Sequence, residues 1–449
     1  MKPEAFARKV LSRAQKLGAK QAEVFLQTSR ESSVRVREGE IQDLTQATSK
    51  GLGLRVFGKG GRLGFAHTSD FDPARIDELA RRALELASVA APDPRNGLPA
   101  ARELEPRSKA KLQLFDPAVA SLAPDWKIKV SLEMEKVVRA HDPRITTVDS
   151  CGAGDYVSEV FIASTDGLED RERGTYVYLF AAPVAAQDGQ LQTDSWSDSK
   201  RFLADLESPE QVARTAAART VRMLGATRTK TARMPVIFDP QIAASFVGSI
   251  AGAVNGDMVF KKASFLADKL GQAVAPKFFT VVDDGRLPRG LSTGRFDGEG
   301  VPTRVTPIVK NGVLRSFLFD SHTARKMKAR TTGNASRGYS TLPSVGVNNL
   351  YLEAGTQTPE ELLRGVKRGL YVTRMLGRGA NTITGDYSRG ANGLLIEDGE
   401  LGRPVQEVTV AGNFLQMLQA IDGLGDDLVF RGSVSAPTLR FAELTVSGS

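Results

Sequence analysis

Imidazole and thiolate carry much of metal and nucleophilic chemistry, and this chain has few of either: three histidines, His67, His141 and His322, and one cysteine, Cys151, in 449 residues. A function that depends on them must be absent or be supplied by a partner. His141-Asp-Pro reads as the end of a helix and His322 as lying near the start of a short one, so surface or capping roles account for the histidines. Cys151 could act as a nucleophile beside one of them, but its setting, VDSCGAG, reads as a strand end holding a structural thiol.

Other short patterns are equally spare. Ser197-Asp-Ser-Lys200 matches S-x-x-K but falls on a predicted strand of alternating polarity, where it reads as a solvent-facing row. Gly53 to Gly60 approaches a phosphate-binding loop, yet Gly60 replaces the magnesium-binding hydroxyl and the run sits between strands, which favours a hairpin turn. Gly248-Ser249-Ile-Ala-Gly252 has the wrong spacing for a nucleophile elbow. Asp283, Asp284, Asp297 and Glu299, in DDGRL and FDGEG, offer hard oxygen ligands for a cation; turn-forming aspartates with solvated charge are the alternative.

Composition sets the bounds. At 48.3 kDa, 41% hydrophobic and 25% charged, the chain is an ordinary globular one with room for roughly two to four domains. The formal charge of +8 invites a nucleic-acid reading, but aromatics are 7% and the basic residues are scattered, so direct nucleic-acid binding is not expected. RTKTAR (228–233), RKMKAR (325–330) and RSKAK (107–111) read as solvated faces or linkers. One thiol fits a reducing compartment, and no secretion signal is visible at the N-terminus, so the cytoplasm is the expected location. The most apolar run, Ile242 to Val254, has about 13 residues where a membrane span needs roughly 20.

The elements that must position any site follow from periodicity. A helix ending at Gly18 opens the chain, then β-rich runs at 22–27, 33–37, 41–47, 51–57 and 62–67 read as an antiparallel meander, and a second helix runs from Asp72-Pro73 to about Val89. Prolines punctuate a connection, a helix covers 125–141, strands follow with a hairpin at Asp188-Gly189, and a helix spans 209–224. The Gly/Thr/basic stretch 225–233 marks the main boundary. Beyond it come a strand at 235–238, a small-residue helix at 239–255, a hairpin across Asn311-Gly312, short helices at 321–328, 359–368 and 413–421, and many strands. The fold class is α+β: an N-terminal α/β region over 1–225 (first module about 1–90, linker about 91–124) and a β-rich C-terminal domain over 226–449.

The blocks DDG (283–285), FDGEG (296–300), VKNGVLRSFLFDSHTARKM (309–327), TGNA (332–335), NNLYLEAG (348–355), GLYVTRMLGRGANTITGDYSRGANGLLIEDGE (369–400), PVQEVTVAGN (404–413) and PTLRFAELTVSG (437–448) resemble, in order and spacing, the TldD/PmbA family. The match covers nearly all of 234–449, and the opening helix, meander and helix look like the family's first domain. The resemblance implies a metalloprotease system of two related subunits. In one, a helix carries H-E-x-x-x-H, whose histidines hold zinc while the Glu activates water, and a C-terminal cysteine completes the ligands.

This chain departs there. The family's H-E-x-x-x-H-G-x-E-G-D aligns with Val247 to Asp257, placing Val247, Gly248 and Gly252 where the two histidines and the Glu stand, and Phe430 to Pro437 contains no cysteine. The resemblance is therefore to the metal-free PmbA (TldE)-like branch: a non-catalytic subunit with no metal or cofactor of its own, whose TldD-like H-E-x-x-x-H partner holds zinc. The substrates implied are peptides or unfolded small proteins. The alternative is a homo-oligomeric peptide-binding or regulatory protein without proteolysis. Asp386, Tyr387, Ser388, Arg389 and Asn392, polar side chains interrupting strands in the strongest block, are the candidate peptide-groove or interface residues, with turn stabilisation an equal reading for Asp386 and Asn392. Family labels also mention DNA gyrase modulation; nothing in these residues supports contact with DNA or gyrase.

Overall fold

The computed structural model describes residues 1–105, 110–377 and 379–448. The first half is one antiparallel sheet with helices on it. Helix α1 (Pro3–Lys16) buries Phe6, Ala7, Val10, Leu11 and Ala14. Strands β1 (Gln21–Arg37), β2 (Glu40–Phe57) and β3 (Leu63–Thr68) follow, then α2 (Arg75–Val89), a short α3 (Pro117–Ala120) and α4 (Pro124–His141). Strands β4 (Ile145–Ser164), β5 (Glu169–Gln187), β6 (Gln190–Thr193) and β7 (Trp196–Lys200), with α5 (Pro209–Val221), complete it. The seven strands run in the order β3-β2-β1-β4-β5-β6, with β7 also on β5.

Runs expected as separate strands are continuous here. Residues 28–33 (TSRESS) look like a break by composition, but they hydrogen-bond to β2 on one side and β4 on the other, and pairing on both edges overrides weak propensity. The same happens across Gly51, where a Cβ would fall 2.2 Å from the Tyr339 ring. Helix α2 starts at Arg75 rather than at Pro73, because Asp72 first closes a turn, its side chain accepting from the Ala74 amide at 2.9 Å. The near-phosphate loop is a hairpin bend: the Gly58 amide donates to the Arg62 carbonyl at 2.8 Å, and Gly60 and Gly61 adopt positive φ.

The second half opens with β8 (Ala232–Phe238), α6 (Pro240–Ala253) and α7 (Gly256–Phe260). There follow β9 (Val281–Asp284), β10 (Val305–Lys310), β11 (Val313–Leu314), α8 (Ser321–Lys326), β12 (Ala335–Ser336), β13 (Ser344–Val345) and β14 (Asn349–Leu352). Then come α9 (Pro359–Arg364), β15 (Arg368–Leu376), β16 (Asp386–Glu397), β17 (Glu400–Asn413), α10 (Phe414–Gln419), β18 (Ile421–Leu424), β19 (Val434–Ser435) and β20 (Leu439–Ser447).

Six of these strands form a sheet in the order β17-β16-β15-β8-β20-β18, and β17 pairs again with β20. That second pairing closes β8, β15, β16, β17 and β20 into a ring of strands. A separate sheet, β11-β10-β9-β14-β19, stands beside it. One large apolar core joins both, built from Val236, Phe238, Phe246, Leu350, Leu370, Tyr387, Phe414 and Phe441 among others.

The basic segments are engaged. Arg228 pairs with Glu407 and Arg233 with Glu443, while Arg325 donates to backbone carbonyls of Arg95, Gly97 and Leu98. Most of RSKAK lies outside the described residues.

Candidate functional site

Helix α6 begins where β8 leaves the ring. Asp239 caps it by accepting from the Ile242 amide at 3.0 Å, and Pro240 occupies the first turn, where its missing N–H costs nothing. The helix has two distinct faces. Ile242, Ala243, Phe246, Val247, Ile250 and Ala253 are buried. Phe246 is the anchor, with ring centroids 4.3 Å from Phe414, 5.3 Å from Phe441 and 6.0 Å from Tyr387. The other face carries Gln241, Ala244, Ser245, Gly248, Ser249 and Gly252, none of them buried.

Small residues dominate that face. Among the described residues, a Cβ added at Gly248 would meet Val434 at 3.9 Å, and one at Gly252 would meet Thr382 at 3.5 Å, ordinary contact distances. Beside the N-terminal end of the helix lies a cavity of about 510 Å³ between the two halves, where Ala244, Val434, Ser435 and Ala436 meet Trp196 and Ser197.

The cavity's charged wall is tied down. Arg219, on α5, donates to Asp239 at 3.0 Å, to Asp194 at 3.2 Å and to the Thr373 carbonyl at 3.0 Å, so one guanidinium joins the first half to the start of α6. Arg219 and Arg431 both lie over the Trp196 ring, at 5.2 and 4.4 Å from its centroid, and Trp196 donates its indole N–H to Glu207 at 3.0 Å. Burial raises the Asp239 carboxyl, with Arg219 opposing, and burial pushes the Tyr371 phenol up. The Ser435 hydroxyl is buried with no hydrogen-bond partner among the described residues. The cavity thus joins paired charged side chains with apolar wall from Ala244, Val429, Val434 and Ala436.

The candidates of the TGDYSRGAN block separate along β16. Tyr387 and Arg389 point inward. Tyr387 is 1% exposed and belongs to the core, its hydroxyl meeting the Met375 Sδ at 2.9 Å. Arg389 reaches across to Ser245 of α6, donating to its Oγ at 2.8 Å. Asp386 and Ser388 face outward; Asp386 accepts from the Thr384 hydroxyl at 2.6 Å, a turn contact. Asn392 sits at a bulge and accepts from the Glu407 amide at 3.2 Å. Of the five, Tyr387 and Arg389 meet α6, the first by packing on Phe246 and the second by its hydrogen bond to Ser245.

The remaining motifs resolve structurally. Lys200 donates to Asp198 at 2.7 Å and to the Phe430 carbonyl at 3.0 Å, and Asp198 is buried, so the S-x-x-K stretch is not a solvent-facing row. Of the loop carboxylates, Asp284 is a turn residue, accepting from the Arg286 amide at 2.7 Å, while Asp283, Asp297 and Glu299 are buried. Asp283 accepts from Asn334 at 2.7 Å and from Asn348 at 2.7 and 2.9 Å; Asp297 accepts from the Glu299, Val301 and Ala335 amides; Glu299 pairs with Arg55. Burial and the adjacent Glu299 charge push the Asp297 carboxyl well above the usual carboxylate range against those amides. Cys151 is fully buried in β4, and burial pushes its thiol up to about 12.

Val247 to Asp257 spans the end of α6 and the start of α7. Valine methyls and glycine hydrogens offer no lone pair, so Val247, Gly248 and Gly252 do not fit zinc. His67 lies on β3, His141 ends α4, and His322 on α8 is held by Asp93 at 3.1 Å. Among the described residues no three His, Cys, Asp or Glu side chains form a metal-holding group.

Three family models match: PmbA/TldA metallopeptidase domain 1 at residues 22–87, the central domain at 117–224 and the C-terminal domain at 231–448. The chain is 31% identical over 427 residues to metalloprotease PmbA of Escherichia coli O157:H7, covering 95% of this chain and 92% of that one. It belongs to the PmbA/TldD metallopeptidase family. The metalloprotease PmbA homolog of Haemophilus influenzae is 30% identical, covering 97% of this chain and 94% of that one. TldE from Thermococcus kodakarensis shares the fold, with a TM-score of 0.88 at 22% identity over 99% of this chain and 100% of that one. In this family member the central-domain match contributes Trp196 and Arg219, and the C-terminal match contributes α6 and Arg431. No single motif carries those four, because they come from separate elements; only the helix was read locally, from its small-residue run.

No described helix is long and apolar enough to cross a membrane.

Proposed function

We propose that this chain is the non-catalytic subunit of a zinc metalloprotease complex that cleaves peptides and unfolded small proteins, with a TldD-like H-E-x-x-x-H partner holding the metal. The observation that carries the reading is the outer face of α6. Where family resemblance places zinc ligands and a general base, this helix carries Gly248 and Gly252 on its less buried face and turns Val247 into the core. The relatives named metalloprotease support a place in proteolysis.

The chain's part is then to wall a peptide channel. Apolar surface in the 510 Å³ cavity receives substrate side chains, and strand edges pair with an extended main chain. The working location is the cytoplasm. The test is to purify the native assembly and measure its subunit composition, zinc content and peptidase activity with and without each subunit. Stoichiometric zinc in this chain alone, together with peptide cleavage by it alone, overturns the reading; a stable self-complex with no zinc-bearing partner favours a homo-oligomeric peptide binder instead.

A further inference from the structure

The seven-stranded sheet buries one face under helices: Leu179 and Ala181 of β5 pack with Val130, Met134, Val212 and Ala213 of α4 and α5. The alternate residues Tyr176, Tyr178 and Phe180 point to the other face, and Tyr156 of β4 stands directly opposite Tyr176. Ring centroids are 5.3 Å apart for Tyr156–Tyr176, 6.1 Å for Tyr176–Tyr178 and 6.3 Å for Tyr178–Phe180, with neighbouring planes no more than 34° from parallel.

The rings lie down across β4, and glycines make this possible. A Cβ at Gly154 would fall 2.4 Å from the Tyr178 hydroxyl, and one at Gly152 would fall 2.4 Å from Phe180 Cε1. Four aromatic side chains therefore pave a floor whose rings remain only partly covered, Tyr176 being 37% exposed.

Two charged residues of β1, Glu31 and Arg35, alternate onto the floor's face. Glu31 of β1 stands opposite Tyr156 in the register and is exposed. It has no ion-pair partner among the described residues, whereas Arg35 is paired with Asp43 and Arg30 with Asp155. Aromatic ring faces carry the negative end of the ring quadrupole and attract a cation; a free carboxylate beside them adds to that attraction.

The floor also leads somewhere. Ser197 of β7 lies opposite Phe180 and lines the α6 cavity. From Tyr176 to Phe180 is four residues of strand, about 13 Å at 3.3 Å per residue, so an extended peptide entering the cavity would cross the floor roughly four positions away.

We propose that Tyr156, Tyr176, Tyr178, Phe180 and Glu31 form a subsite for one arginine or lysine side chain of an extended peptide whose neighbouring segment occupies the α6 cavity. The assignment rests on the peptide-channel reading. The test uses the full chain and fluorescein-labelled unstructured decapeptides that differ only in carrying arginine or its neutral isostere citrulline at one position, with affinity read by anisotropy. The arginine peptide binds roughly threefold to tenfold more tightly. That preference disappears in Tyr176→Ala and shrinks in Glu31→Gln, an exposed substitution that leaves the fold intact, while citrulline-peptide affinity is unchanged by Glu31→Gln. Equal affinity for the two peptides, or a preference that survives both variants, overturns the subsite and leaves the peptide-channel reading standing. Failure of both peptides to bind overturns the two together.

Discussion

Arg55 of β2 and Glu299, 244 positions later, form a buried salt bridge at 3.2 Å that joins the first sheet to the second half. Arg55 also donates to both oxygens of Glu23, at 3.1 and 3.0 Å, and Arg337 donates to Glu23 from the second half. Two buried cations thus face two buried anions across the junction. The attraction of Arg337 and Arg55 holds the Glu23 carboxyl below its usual range despite burial.

Breaking such a cluster on one side strands a charge. Arg55→Met is expected to destabilise the protein by about 3–5 kcal/mol, measured by urea unfolding. Removing both partners, Arg55→Met with Glu299→Met, leaves Glu23 and Arg337 balanced, so the double variant should lose clearly less than the sum of the two singles. Additive losses would mean that the contact between Arg55 and Glu299 contributes no coupling.

Local signals were the legible part of this fold. Asp188-Gly189 and Asn311-Gly312 both take positive φ at the two central residues of hairpin turns, and the small-residue helix expected at 239–255 is present as α6. The long-range features were not legible. Closure of the strand ring depends on β17 meeting β20, and no short window encodes that register. Tyr387 was a groove candidate because its block is polar, yet strand alternation buries it; Asp283, Asp297 and Glu299 look like surface turns until their partners arrive from distant loops. The cavity joins Trp196, Arg219 and Arg431 from three separated segments, so spacing alone could not bring them together.

The open face of α6 makes an opposite prediction to core mutagenesis. Glycine inside a helix carries excess backbone entropy into folding, and the nearest atoms to a Cβ at Gly248 and Gly252 stand at 3.9 and 3.5 Å, ordinary contact distance. Gly248→Ala and Gly252→Ala should each stabilise the chain by roughly 0.5–1 kcal/mol. A fall in thermal midpoint for either would show that the added methyl is crowded more than this geometry allows.

Cys151 should behave as an inert thiol. Its folded value of about 12 lies above the ordinary 9.0, so the fold favours the protonated form. The stability this contributes is fully present below pH 9 and is lost as pH rises toward 12. At pH 8 a thiol-specific disulfide reagent should leave the folded chain unlabelled and titrate one thiol per chain in denaturant. Rapid labelling of the native protein would contradict the burial.

Glu172 supplies the sharpest pH test. It lines a cavity of about 290 Å³ with Asp297, Asn334 and Arg337, accepts from the Arg295 amide, and is pushed up by burial from 4.5 to about 6. Its raised value means the folded protein holds more protons than the unfolded chain between those limits. The stabilising contribution is therefore fully present below pH 4.5 and is lost as pH passes 6. The shift corresponds to about 2 kcal/mol. Glu172→Gln keeps the acceptor oxygen and never ionises, so its stability relative to the native sequence should rise by about that much between pH 4 and pH 7. Urea midpoints of both proteins across that range decide it: a difference that stays constant with pH would place the Glu172 carboxylate in contact with solvent.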